Sequence, residues 1–108
     1  ATVVAIKSFR GALKAKIDHV EAHSHLGEAL YKKGDLDTAI YHLREAIKYK
    51  PEHPESHFKL AYALIDKEDH EEAINEFKEF LKFTTHLKGY YQWRNAAKNN
   101  IEALGDEL

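Results

Sequence analysis

The stretch Leu26-Gly27-Glu28-Ala29-Leu30, followed by Gly34-Asp35, Ala39, Leu43, Ala46 and Pro51, decides the reading of this chain. Its pattern returns 34 positions later as Leu60-Ala61-x-x-Leu64, Asp69, Ala73 and Phe77. Laying residues 20–53 over 54–87 also pairs Glu21 with Glu55, His23 with His57, Ala29 with Ala63 and Lys33 with Lys67. The register continues without a gap through Ile40/Ile74, Glu45/Glu79 and Lys48/Lys82. A period of this length is the signature of stacked helical hairpins.

Each unit reads as two helices. Ala22, Leu26, Ala29, Leu30 and Lys33 recur at three- and four-residue spacing, an apolar stripe on one helical face. Gly34-Asp35 breaks it: glycine accepts a left-handed backbone and aspartate can cap the second helix. Ala39, Ile40, Leu43, Ala46 and Ile47 form the second stripe. Pro51 and Pro54 close the unit, because proline lacks an amide hydrogen and disfavours helix before it. The second unit repeats this, with Glu68-Asp69 at the turn.

The same shift applied backwards puts Ala5, Ile6, Phe9, Ala12 and Leu13 over Ala39, Ile40, Leu43, Ala46 and Ile47. The expected division is therefore 1–19 as the second helix of an incomplete unit, 20–53 and 54–87 as full units, and 88–108 as a closing helix or the start of a third. Tyr90, Tyr91, Trp93, Ala96 and Ala97 fit that third unit with two residues inserted in 84–89. Together these form one all-α domain with helices expected near 3–16, 20–33, 36–50, 54–67, 70–84 and 89–104. The apolar strip of Val3, Val4, Ile6 and Leu13 on the half-unit is expected to be covered by upstream sequence in the native protein and to serve as a homo-oligomer contact in the isolated segment.

Composition narrows the function. Sixteen basic and eighteen acidic residues among 108 give a net charge of −2, without the basic stripe of a nucleic-acid binder. No apolar run approaches the roughly 20 residues that span a bilayer. Cysteine is absent, so no disulfide or thiolate metal site is available, and the compartment is left open. Methionine is absent too, even at position 1, which reads as a processed or excised segment.

The repeated positions resemble the tetratricopeptide repeat family, on His23, Leu26, Gly27, Leu30, Ala39, Leu43, Ala46 and Pro51, then His57, Leu60, Ala61, Leu64, Ala73 and Phe77. The resemblance runs from Val3 to about Leu104. It departs from the family where His23 and His57 replace a large apolar residue, Phe80 a small Ala, and Thr85 the proline. It implies a right-handed superhelical stack whose first helices line a concave groove, and a non-catalytic role in binding a peptide or partner protein. The groove residues it implies are Glu21, Ser24, His25, Glu28, Tyr31 and Lys32, then Glu55, Phe58, Lys59, Tyr62, Ile65 and Asp66, with Arg94 and Lys98 from the closing helix. Some relatives clamp the C-terminal carboxylate of chaperone tails with Lys and Asn. Ser24 and Glu28 stand there instead, so that clamp is missing, and the acids suit an apolar segment flanked by Lys or Arg.

Two other classes compete with this one. His19/His23 and His53/His57 have chelating spacing, but both pairs occupy equivalent repeat positions, as structural residues copied by duplication would. The expectation is no metal and no cofactor. An enzyme would need a nucleophile beside an oriented base, and no glycine-rich elbow surrounds Ser8, Ser24 or Ser56. An enzymatic context remains only as a larger protein to which this array is the targeting segment.

Overall fold

The computed structural model describes residues 19–105. Five helices succeed one another: α1 (His19–Lys33), α2 (Leu36–Tyr49), α3 (Pro54–Asp66), α4 (His70–Thr84) and α5 (Tyr91–Ala103). No strand occurs among the described residues. The helix and the association surface expected in 3–16 lie outside them. The five remaining helices fall within two residues of their expected ends.

α1 pairs with α2 and α3 with α4 as antiparallel hairpins; α2 packs on α3, and α5 on α4. Gly34 stops α1 at φ +95°, with its amide and that of Asp35 bonded back to the Leu30 carbonyl at 3.0 Å. Asp35 takes the N-cap position of α2 but its side chain makes no cap bond. In the second turn Asp69 does cap, accepting from the Glu72 amide at 3.3 Å. Glu68 fills the glycine's place there at φ +63°. A left-handed backbone costs a side-chain-bearing residue about 1–2 kcal/mol. Glu68→Gly is therefore expected to raise stability by about 0.5 kcal/mol, read as an upward shift of the urea midpoint, after glycine's own entropic cost is deducted.

The core runs along the stack. Leu26, Ala29, Leu30 and Ala39 fill the first hairpin, and Ile40, Leu43, Leu60, Ala63, Leu64 and Ala73 join the two. Ala61, Phe77, Phe80, Ala97 and Ile101 fasten the closing helix. Phe80, the departure from the small Ala, is the docking point of that helix: its ring stacks on Trp93 and meets the edge of Tyr90. Without a proline at 85, α4 ends as Thr84 and Thr85 hydroxyls bond back to the Phe80 and Leu81 carbonyls at 2.9 Å.

The two histidines in the large-residue position are both buried, yet they titrate in opposite directions. His57 donates Nδ1–H to Glu76 Oε1 at 2.6 Å and Nε2–H to the Pro51 carbonyl at 2.6 Å. Only an imidazolium donates from both nitrogens. Burial opposes that charge, but the Glu76 bond, the Pro51 bond and the Glu76 charge outweigh it and raise the pKa above 6.5. His23 meets His42 Nδ1 at 3.0 Å instead, and His42 stands where the second unit has Glu76. Burial there lowers the pKa, with the Glu45 charge opposing and His19 adding to the fall.

A pKa raised on folding gives stability that is full below the unfolded value and lost as pH rises through the folded one. His57→Gln should thus cost about 2 kcal/mol at about pH 5.5, the scale of a charge-assisted hydrogen bond, and visibly less at about pH 8.5. Urea unfolding at both pH values measures it. An equal loss at both would mean that His57 is neutral in the fold.

Candidate functional site

The side chains expected to line one groove separate into three neighbourhoods and a buried set. Glu28, Tyr31, Lys32, Lys59 and Tyr62 surround one small cavity of about 130 Å³ between α1 and α3. Glu28 and Tyr31 come from α1 three residues apart, and Lys59 and Tyr62 from α3 three residues apart, which keeps each pair on one helical face. Lys59 Nζ reaches Glu28 Oε1 at 3.1 Å, and Lys32 reaches Glu28 Oε2 at 3.4 Å. Burial pushes the Glu28 carboxyl up, but hydrogen bonds and charge from Lys59 and Lys32 overcome it and hold the pKa below its ordinary value. Tyr31 is shifted upward by burial and by its hydrogen bond to Asp66, which keeps the phenol neutral.

The Tyr62 hydroxyl accepts from Asn100 Nδ2 at 2.9 Å, tying α5 to this cavity. Asn100 was not among the expected site residues. The signal was its place on the packing stripe of α5, with Trp93, Ala97 and Leu104 at three- and four-residue steps.

Glu21 and Glu55 lie elsewhere, at the helix starts opposite the hairpin turns and beside the loop that joins the two hairpins, around an open depression of about 580 Å³ that also takes in Lys50, Glu52, His53, Phe83, Leu87 and Tyr90. His25 sits beside Glu21 with Nε2 3.4 Å from Oε2. Arg94 and Lys98 share a third depression with Leu81 and Thr85. Arg94 Nη1 is spent on the Thr84 carbonyl at 2.8 Å, finishing the end of α4.

Of the expected groove residues burial corrects Ser24, whereas Phe58 and Ile65 are half-buried. Ser24 is fully buried under Lys59, whose Nζ donates to its Oγ at 3.4 Å. A small side chain there lets α3 close over α1. Phe58 is a packing residue, with its ring centroid 4.8 Å from Trp93, 5.0 Å from Phe80 and 5.8 Å from Phe77. Ile65 is half-buried against the inter-hairpin core. Of the four-apart histidine pairs, His53/His57 does not converge: His57 turns to Glu76, while His53 turns to Glu21.

No helix among the described residues is long and apolar enough to cross a membrane. A family model described as TPR repeat matches residues 27–67, and one described as tetratricopeptide repeat matches 54–84, together covering more than half of the chain. No curated protein matches it. Repeats of this kind generally mediate protein–protein interaction and carry no catalytic centre. Period, hairpin geometry and both matches agree: the chain belongs to the tetratricopeptide repeat family.

Proposed function

We propose that this chain is a non-catalytic holder of a peptide or partner-protein segment, gripped at the cavity between Tyr31 and Tyr62. The observation that carries the reading is the cavity's construction. Two half-buried tyrosines from successive hairpins enclose a space for one apolar side chain. Aromatic rings with a polar tip are typical anchors for recognition. Lys59 and Lys32 already neutralise Glu28, and the acid standing beside Tyr31 at this cavity is Asp66. That charge pattern favours an apolar residue flanked by Lys or Arg over an acidic tail.

In this reading residues 20–53 and 54–87 are the two full units and 88–108 closes the stack. Residues 1–19 contribute the half-unit, available to upstream sequence of a larger scaffold protein or to a second copy of the chain. Arg94 and Lys98 support the closing helix and leave the grip to Glu28, Tyr31, Lys59 and Tyr62.

The test is to pan a displayed random-peptide library on the chain and titrate the selected peptides by fluorescence anisotropy. Tyr31→Ala should weaken them about thirtyfold, the loss expected for an anchor worth about 2 kcal/mol, while the far-UV melt stays close to the parent's. Phe58→Ala is unsuitable for this purpose, because it opens the core. Selected peptides that bind parent and Tyr31→Ala alike would place recognition elsewhere.

A further inference from the structure

We infer that Glu21, His53 and Glu55 form a divalent-metal site of the zinc class at the junction of the two hairpins. One ligand atom from each lies within 4.8 Å of the other two. Glu21 belongs to α1, His53 is the N-cap of α3, and Glu55 is in its first turn. The two glutamates are repeat equivalents, so the 34-residue period brings one from each unit to this edge.

The arrangement goes beyond a gathering of acids. His53 is almost wholly buried, and its Nε2 is aimed at Glu21 Oε1 across 2.9 Å. Its other nitrogen is fixed by Ser56 Oγ at 2.6 Å. Nε2 shares a proton with a carboxylate oxygen, and when Nδ1–H donates to the Ser56 hydroxyl a cation can take that proton's place between them. The remaining ligands are held from outside too. Tyr90 donates its hydroxyl to Glu55 Oε1 at 2.9 Å, and His25 stands 3.4 Å from the second oxygen of Glu21. Outer partners on each ligand are what orient a metal-binding residue and fix its tautomer.

Ligand chemistry selects the ion. One imidazole with two carboxylates suits a first-row divalent cation, whereas Mg²⁺ and Ca²⁺ take oxygen ligands throughout. Around a zinc ion about 2.0–2.1 Å from each ligand, the atoms stand about 3.3 Å apart, so Glu21 Oε1 and His53 Nε2, now 2.9 Å apart, must part slightly to admit the ion. Three protein ligands leave a fourth position open to the depression, for water or a partner's carboxylate or imidazole. The ion would replace the His53–Glu21 hydrogen bond with a three-point clamp that also takes in Glu55 of the second unit. The four-residue histidine spacing does not point to this cluster, because the structure turns His53 away from His57 and joins it to glutamates.

The experiment is calorimetric titration of Zn²⁺ into the untagged chain, with Co²⁺ absorption as a second readout. One saturable equivalent is expected, with the melting temperature rising on loading, and millimolar Mg²⁺ or Ca²⁺ should not compete. Glu55→Gln keeps an oxygen for Tyr90 yet loses the charge, and should weaken the site about tenfold to a hundredfold, the range for a disturbed metal shell. His53→Gln should abolish it. Because His53→Gln also breaks the Ser56 bond, Glu55→Gln is the variant that decides, read against an unchanged metal-free melt. His70→Gln, which alters a histidine outside the cluster, should bind as the parent does. Absence of a saturable equivalent, or an equivalent that survives both Glu55→Gln and His53→Gln, overturns the proposal. Loss on His23→Gln or His42→Gln alone would overturn it in favour of the other histidine group.

Discussion

Phe77→Ala should cost about 3–5 kcal/mol, the range for emptying a fully buried phenylalanine site, from a total of about 5–15 kcal/mol in a domain of this kind. Phe77 has no exposed surface, and its ring meets Phe58 at 5.8 Å and Tyr62 at 5.4 Å in edge-on packing. It shares a cluster with Ala61, Phe80, Ala97 and Ile101, so the cavity would open beneath the closing helix. In a repeat stack each element holds only its neighbours, and the damage should appear first where α5 leaves α4. Trp93, the one tryptophan of the chain, sits on α5 and reports that departure directly. In urea its emission should shift to the red before far-UV ellipticity falls, whereas the parent should lose both together. Phe77→Leu restores the residue that the first unit carries at Leu43, and should cost less than half as much. A Phe77→Ala melt within about 1 kcal/mol of the parent would show that the cluster can collapse around the loss.

Periodicity names the face a residue occupies, and this is why the helices were legible. Gly34, Pro54, Asp69 and the alternation of apolar stripes fix where each one starts and stops by local backbone chemistry. The partners across an interface are a different matter. Tyr62 finds Asn100, 38 residues on, and Glu21 finds His53, 32 residues on. Nothing in either stripe announces these meetings. Ser24 and Phe58 show the same limit from the other side. Both occupy positions that line the groove in the family. One is small enough to be covered by a lysine, and the other is claimed by Trp93 and by Phe80, the latter standing where the first unit has Ala46. The opposite titration of His23 and His57 likewise turns on a single partner, His42 or Glu76, at one repeat position.

Gly27 is where helix propensity and packing disagree, and packing should win. A methyl added at Gly27 would lie 2.6 Å from Leu43 Cγ, 2.8 Å from Cδ2 and 3.2 Å from the Ala39 carbonyl oxygen. Leu43 and Ala39 are both fully buried, so the branched carbon cannot swing aside without disturbing the core between the hairpins. Replacing glycine by alanine inside a helix gains about 1 kcal/mol from propensity. Overpacking of this kind costs enough that the net loss for Gly27→Ala should be about 1–3 kcal/mol, and more for the β-branched Gly27→Ile. The second hairpin already carries the methyl, as Ala61, and there the facing residue is Phe77 rather than leucine. A flat ring can pass beside a methyl that a branched Cγ strikes. Adding Leu43→Phe to Gly27→Ala should therefore recover part of the loss, giving a favourable coupling of about 1 kcal/mol in a double-mutant cycle. Urea midpoints of the four proteins decide it. If Gly27→Ala is more stable than the parent, the helices of the first hairpin have room to spare and steric closeness is not what requires glycine there.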